Sequence, residues 1–375
     1  MSRRFLRDLP VLLLFLAGAL AVLALVVRLA GASPVAVAKA LYQGALGSRY
    51  NVAETLIQTV PLLLTGLAVA LSFRCRLFNI GAEGQFLVGA IAATWVGTRA
   101  LPAPVHLAGV LLAGAAAGAL WSGVAGVLRL YRGVQEVLST LLLNFVALQA
   151  VAWVVRGPLQ EAALRYPQSD KIAIPARLLL LQPAAMGQPG TRLHAGVFLA
   201  GVMVVLVWFL LRWTAGGFAL RAVGAGAPAA EAAGISVART MMTAFLTSGA
   251  LSGLAGAVQI AGVTYFLSDR YSPGYGYTAI AVALLANLSP VALVPSALFF
   301  GALTAGAANV QSAGVSAVFI QVLQAVTLLA LLGYAWARER RGGGMPPSPA
   351  SPPLPPLMGG GEGEGGQSLT AEKVP

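Results

Sequence analysis

Charge is what this 375-residue chain has least of: 10% of its residues are Asp, Glu, Lys or Arg, while 58% are hydrophobic. Soluble domains carry about a quarter charged residues, so water cannot be the main solvent of this surface. A lipid surround removes the need for charge. Cysteine is reduced to Cys75, which excludes an internal disulfide. Histidine is reduced to His106 and His194, both read as loop residues at the outer membrane surface. Neither sits in a His-Glu-x-x-His frame, which excludes that metalloprotease chemistry. Asp8, Asp170 and Asp269 all fall outside the apolar runs, so no intramembrane aspartate pair exists for proteolysis. Gly-x-Ser-x-Gly is missing, and with it the usual serine elbow. No lysine follows a glycine, so the chain has no Walker A phosphate loop. No metal or cofactor is expected.

The formal charge of +12 could suggest nucleic acid. The basic residues are instead scattered at the ends of apolar runs, where they meet lipid headgroups, and no basic patch forms. Those runs are what the chain has in abundance. Leu9–Val27 follows Arg3, Arg4 and Arg7 and exceeds the 7–15 apolar residues of a signal peptide, so it reads as an uncleaved first span. Further runs are Thr55–Phe73, Gly84–Thr98, Leu107–Leu128, Val137–Val155, Ala195–Leu211 and Thr240–Ser268. Tyr271–Ala337 has no ionisable Asp, Glu, Lys, Arg or His and divides into three crossings at Asn287-Leu288-Ser289-Pro290 and at Asn309 through Gly314. The first of the three, near Tyr275–Leu288, is short and fits a broken or half-length helix.

The pattern therefore predicts an all-α polytopic membrane helix bundle of about ten transmembrane helices over residues 1–341. Both termini are expected in the cytoplasm of a bacterial inner or plasma membrane. That orientation puts Arg74, Arg76, Arg129, Arg132, Arg212, Arg221, Arg239 and Arg338 inside, in keeping with the positive-inside rule. Residues 342–375 are rich in Pro, Gly and Glu and read as a disordered tail. Gly114-Ala115-Ala116-Ala117-Gly118 and Gly249-Ala250-Leu251-Ser252-Gly253 are small-xxx-small patterns for close helix packing.

An ion-coupled transporter places ionisable groups inside its spans. Here Glu83 is the firm candidate, with Glu136 at a span edge. A channel-like chain with neither a nucleotide loop nor a charge relay implies a separate partner that supplies energy. The most informative stretch is Phe78-Asn79-Ile80-Gly81-Ala82-Glu83-Gly84-Gln85. A carboxylate at a bilayer centre costs about 2.5–3.5 kcal/mol on insertion scales. The flanking glycines suggest a bent or re-entrant backbone lining a cavity.

This stretch closely resembles the signature of nucleoside ABC importer permeases, whose superfamily also holds simple-sugar and branched-chain amino-acid permeases. Gly133 through Asn144 and on to Arg156-Gly157-Pro158 resembles that family's fifth span and its exit. Leu220 through Gly224, Ala229-Ala230 and Ala233-Gly234-Ile235 resembles its cytoplasmic coupling segment. Gly274 through Leu285 resembles its second core motif. The resemblance covers roughly residues 55 to 332. It departs from the family where a Glu usually precedes the paired alanines; here Pro228 stands there, and Glu231 follows three positions later.

The resemblance implies a permease subunit, with no enzyme activity of its own, that imports a small neutral polar solute, most naturally a nucleoside. Simple sugars or branched-chain amino acids are the alternatives within transport; an intramembrane enzyme or a membrane scaffold are alternatives outside it. It also implies an ATP-binding cassette subunit, a second permease, identical or homologous, and an external solute-binding protein. The candidate pathway residues are Asn79, Glu83, Gln85, Ser139, Asn144, Gln259, Tyr265, Tyr275 and Asn287, whose amides, hydroxyls and rings suit a neutral polar solute. The candidate coupling residues are Arg221, Ala229, Ala230, Glu231, Ala233, Gly234, Ile235 and Arg239, within a loop at about residues 212–239. The outer loop Gly157–Leu193, with Arg165, Lys171, Arg177 and Arg192, is a candidate contact for the binding protein.

Overall fold

The structure, a computed structural model, describes residues 17–18, 21–29, 31–181, 190–269, 271–312, 322–326, 329–330 and 333. Among them the architecture is all-helical, with only isolated β-bridges between Gln168 and Ser268 and between Leu180 and His194. The helices are α1 (Ala21–Leu29), α2 (Pro34–Leu46), α3 (Arg49–Arg74), α4 (Ala82–Gly97), α5 (Ala103–Arg132) and α6 (Glu136–Val155). They continue with α7 (Gly196–Trp213), α8 (Ala215–Ala225), α9 (Ala227–Ala232), α10 (Val237–Gln259), α11 (Tyr275–Leu285) and α12 (Pro290–Ser312).

Helix α3 is the axis of the bundle. Ser48 caps it by accepting from the Asn51 N–H at 3.1 Å. Its apolar residues point in every direction, the pattern of a helix enclosed on all sides, and Leu64, Leu67, Ala68, Val69 and Ala70 have no exposed surface. Its buried hydroxyls are returned to the helix itself. Thr59 donates to the Thr55 carbonyl at 2.7 Å, Thr65 to Pro61 at 2.6 Å and Ser72 to Ala68 at 3.2 Å. Their polarity therefore costs little inside the bundle.

Helices α4, α5 and α10 pack through glycine. A Cβ on Gly253 would stand 2.1 Å from the Gly114 carbonyl oxygen, and one on Gly118 2.3 Å from that of Gly249. A Cβ on Gly89 would meet the Gly253 oxygen at 2.3 Å. Hydrogen side chains let three backbones touch, which supplies dispersion contact where lipid gives no hydrophobic drive. The two small-xxx-small patterns thus face each other.

Ten crossings were expected from the sequence, and the described residues bear out part of that number. Among the described residues, six helices are long and apolar enough to cross a membrane: α3, α5, α6, α7, α10 with its extension to Thr264, and α12. The expected third and eighth spans are α4, with 16 residues, and α11, with 11. Each falls short of the about 20 residues a crossing needs, because each begins inside the bundle at a broken backbone. The expected first span is described only in part, and α1 is bent by 105° against α2, which the apolar runs did not reveal. The break at Asn287 and Leu288 is present, both residues being left-handed at φ 49 and 56, before Pro290 opens α12. The second expected break begins later than Asn309, since α12 continues to Ser312. Most of the tenth span, Arg3, Arg4, Arg7, Arg338, residues 182–189 of the outer loop and the tail 342–375 lie outside the described residues.

Both histidines depart from the surface position expected of them. Each is about 1% exposed. His106 sits in the first turn of α5 with Nε2 3.1 Å from the Val96 carbonyl. The Nδ1 of His194 accepts from the Gly196 N–H at 3.1 Å, and its ring fills the space beside Gly262.

Candidate functional site

The site begins where α3 stops. Arg74 closes the helix and donates through Nε to the Leu288 carbonyl at 2.9 Å, tying the end of α3 to the end of α11. Residues 75–81 then turn back into the bundle, which leaves backbone groups without helical partners. Side chains satisfy them, as apolar surroundings demand. Asn79 Oδ1 accepts from the Gly81 N–H at 2.9 Å and from Gln85 Nε2 at 3.0 Å. Asn79 Nδ2 donates to the Ser248 hydroxyl on α10 at 3.0 Å. Asn144, on α6, donates to the Ile80 carbonyl at 3.0 Å and accepts from the Gly84 N–H at 2.8 Å. The Thr140 hydroxyl accepts from the Ile80 N–H at 3.3 Å.

Glu83 joins the two short helices. It lies in the first turn of α4, fully buried, yet its carboxyl group serves the start of α11. Oε1 accepts from the Ser272 hydroxyl and the Gly274 N–H, both at 3.0 Å, and Oε2 accepts from the Gly276 N–H at 2.7 Å. The two N–H groups are orphan donors of a helix start. A negative group is favoured there by the helix dipole as well. The approach is close: a Cβ on Gly276 would lie 2.1 Å from the Glu83 nitrogen. Only glycine allows the two helix starts to meet.

From this junction a polar chain runs along α3. The Tyr275 hydroxyl donates to Gln58 Oε1. Gln58 donates to Glu54 at 3.0 Å, and Glu54 pairs with Arg192 at 2.9 Å. The Phe86 ring lies beside both Tyr271 and Tyr275, with centroids at 6.1 and 5.8 Å.

Of the nine candidate pathway residues, the structure gathers Asn79, Glu83, Gln85 and Asn144 around residues 79–85 in three separate hydrogen-bonded sets. These are Asn79 with Gln85 and Ser248, Asn144 with the Ile80 and Gly84 backbone, and Glu83 with the start of α11, where Tyr275 lies. Gln259 is buried beside Tyr275. Ser139 is buried but returns its hydroxyl to the Glu136 carbonyl at 3.1 Å on its own helix. Tyr265 stands apart as a left-handed residue ending the π-turn Ile260–Thr264, with the Arg177 guanidinium 4.7 Å over its ring. Asn287 is exposed in the turn after α11, where left-handed backbone favours Asn. Gln58, Thr140, Ser248 and Ser272 were missed. Gln58 carried a signal, an amide inside the Thr55–Phe73 run. The other three are hydroxyl residues, which any helix absorbs on its own carbonyls, so nothing local distinguished them.

Among the described residues no group of three or more His, Cys, Asp or Glu could hold a metal. The site is a set of neutral donors and acceptors around one carboxyl group, built at paired breaks in membrane helices. The profile described as "Branched-chain amino acid transport system / permease component" matches residues 51–332. The chain belongs to this permease family. The permease is 38% identical over 304 residues to a glucose ABC transporter permease protein of Haloferax volcanii, covering 80% of each chain. It is 37% identical over 320 residues to a guanosine ABC transporter permease protein of Bacillus subtilis, covering 82% of this chain and 88% of that one. It is 31% identical over 319 residues to a nucleoside ABC transporter permease protein of Lactococcus lactis, covering 84% and 86%. No solved structure matches the chain. The permease is thus a multi-pass membrane transport subunit of the ABC class, and not an enzyme.

Two further surfaces of the permease bear on the site. At the Arg74 end, α8 lies against α3 so closely that a Cβ on Gly224 would stand 1.9 Å from the Arg74 carbonyl oxygen. Arg221, half-buried on α8, stands within electrostatic reach of Arg74. Helix α9 buries Ala230 and exposes Ala229 and Glu231, and Ala233 and Gly234 are exposed beyond it. Gly234, at φ 80, ends the turn with its N–H on the Glu231 carbonyl at 2.9 Å, and Ile235 is half-buried. Arg239, in the first turn of α10, is exposed. At the opposite end, the loop after α6 lies over the π-turn. The Ile172 N–H donates to the Tyr265 carbonyl and the Leu178 N–H to Ala261. Arg156 pairs with Asp269. Glu161 accepts from Gln168 and from the Tyr166 N–H, which hold its carboxyl below the usual range.

Proposed function

We propose that this permease forms the import pathway for a nucleoside. The observation that carries the reading is its likeness, across most of the chain, to permeases named for guanosine and nucleosides. The neutral amides, hydroxyls and rings at the α4–α11 junction support it, because they suit an uncharged solute. The glucose permease relative favours a second reading, a simple sugar.

In this reading residues 1–341 are the permease domain and residues 342–375 an appended tail. The Arg74 end faces the cytoplasm, as do both termini. There the segment at about 212–239 docks on an ATP-binding cassette subunit. The exposed edge of Ala229, Glu231, Ala233 and Gly234 enters a groove of that partner, while Arg221 and Arg239 flank it. Contact between α8 and the end of α3 carries the partner's motion to Arg74, and Arg74 carries it to α11 through Leu288. Asn79, Glu83, Gln85, Ser139, Asn144, Gln259, Tyr265, Tyr275 and Asn287 line or position the pathway. A second permease, identical or homologous, completes the channel. An external solute-binding protein delivers cargo to the outer loop.

Proteoliposomes holding the permease with its second permease, ATPase and binding protein test this directly. ATP-dependent uptake of guanosine or uridine is expected, with glucose not competing. Glucose uptake without nucleoside uptake would overturn the nucleoside reading in favour of the sugar. Deleting Pro228–Ile235 should leave membrane insertion intact and abolish the dependence of uptake on ATP; unchanged uptake would refute the docking role.

A further inference from the structure

Nearly every polar group in this bundle finds a partner, and two neighbours near the junction do not. Thr264 Oγ1, at the end of the π-turn, and the Tyr271 hydroxyl are both buried without a hydrogen-bond partner among the described residues. Buried groups are left unpaired rarely, since each such group costs about 1–3 kcal/mol. The two hydroxyls approach each other but do not meet hydrogen-bond geometry, so each is at most a weak partner for the other. A π-turn is itself a costly irregularity that recurs at functional positions. Ser122 and Ser252 are also unpartnered, but they lie in the glycine-packed faces of α5 and α10, where touching backbones leave no room for a ligand.

The walls beside Thr264 and Tyr271 are aromatic. The Phe86 and Tyr271 rings are near-parallel, 14° apart, and the Tyr275 ring meets Phe86 at 65°. Gln259 adds an amide next to Tyr275. Glu83, the carboxyl group of the junction, is already engaged by three donors. Nothing in this group would balance the ammonium and carboxylate of a free amino acid. Rings, an amide and two waiting hydroxyls instead match a flat, neutral solute with polar edges.

We infer that Thr264, Tyr271 and Phe86, with Gln259 and Tyr275, form a station that receives the base of a nucleoside in transit. The inference rests on the nucleoside reading and assigns residues to it. The base stacks on the Phe86 and Tyr271 rings when the helices part, and its polar edge takes the Thr264 and Tyr271 hydroxyls. In this structure those hydroxyls have only each other within reach, which leaves both able to turn to cargo. The station sits directly beside the Glu83 junction, so base binding and the spacing of α4 and α11 are coupled by contact.

The test measures uptake of guanosine, uridine and free ribose by the assembled transporter in proteoliposomes. Tyr271→Phe and Thr264→Val each keep shape and remove a hydroxyl. Each should raise the nucleoside KM about tenfold, the effect of one lost hydrogen bond in a dry site. Phe86→Leu should reduce discrimination for nucleosides over ribose. Guanosine should raise the thermal midpoint of the purified wild-type permease in detergent, and Tyr271→Phe should abolish that shift even if its uptake is too weak to measure. Wild-type KM, selectivity and thermal shift in the hydroxyl variants would overturn the station while leaving nucleoside import standing. A wild-type transporter that takes no nucleoside would overturn both.

Discussion

Helix α4 is held in two ways, and the contrast is instructive. Along Gly89 it is held by contact alone, with α5 and α10 pressed backbone to backbone through Gly114, Gly118, Gly249 and Gly253. At Glu83 it is held by directed hydrogen bonds to the start of α11. The glycine seam tolerates no added atom and asks for no chemistry. The junction carries costly polar groups that a merely structural contact would not need. In lipid, small residues suffice to pack helices, so polar residues collect where backbone is broken and must be satisfied. In the proposed reading the seam is the frame of the permease and the junction its working part.

The largest effect should come from breaking the seam. Gly253→Leu would drive a side chain into the Gly114 backbone, which has no flexible end to give way. The cost should be about 3 kcal/mol or more, seen as loss of monodisperse protein in detergent. Gly201, with open space around it, is the control; Gly201→Ala should be silent.

Acid probes the π-turn beyond the seam, where the His194 ring occupies the space beside Gly262. Burial pushes the His194 imidazole down to about 4. The unfolded chain therefore binds a proton that the folded chain refuses between the ordinary value, 6.5, and about 4. Stability is complete above that window, falls as pH drops through it, and levels off below; the loss is on the order of 3 kcal/mol. Thermal unfolding in detergent between pH 8 and pH 4 should show this slope, and His194→Gln should flatten it.

Breaking the junction should cost less stability and more function. Glu83→Ala removes three hydrogen bonds, and the stability loss should be about 2–3 kcal/mol. Glu83→Gln keeps an acceptor but offers an amide to donors, so uptake should fall while expression stays near normal. Asn144→Leu leaves the Gly84 N–H and Ile80 carbonyl unpaired and should cost about 1–3 kcal/mol. If Glu83→Gln transported normally, the junction would be packing like the seam and the contrast would dissolve.

Both regions were partly legible in the sequence. The small-xxx-small spacings announced the seam, because their period is local to one helix. The stretch Asn79 to Gln85 announced the junction, because a carboxyl group between glycines in an apolar run has no cheap explanation. What the sequence could not convey was who Glu83 serves. Its partners Ser272, Gly274 and Gly276 lie almost two hundred residues away in an uncharged stretch, and the two glycines, which donate through backbone N–H, leave no trace in residue type. The ten expected crossings are borne out only in part among the described residues, for a related reason. Apolar length was counted for α4, but a helix start buried inside the bundle shortens it, as it shortens α11, whose half-length the sequence had suggested. The α1–α2 bend went unseen because Lys39, within α2, hides its length from a search for uncharged runs.

The central claim is that the transport cycle opens the α4–α11 junction while the seam stays shut. Hydrogen–deuterium exchange on the assembled transporter, nucleotide-free and then trapped with ATP, reads both regions at once. The account predicts that exchange changes at residues 79–85 and 272–278 and is unaltered at 114–118 and 249–253. A change confined to the glycine seam, with the junction amides protected alike in both states, would contradict it.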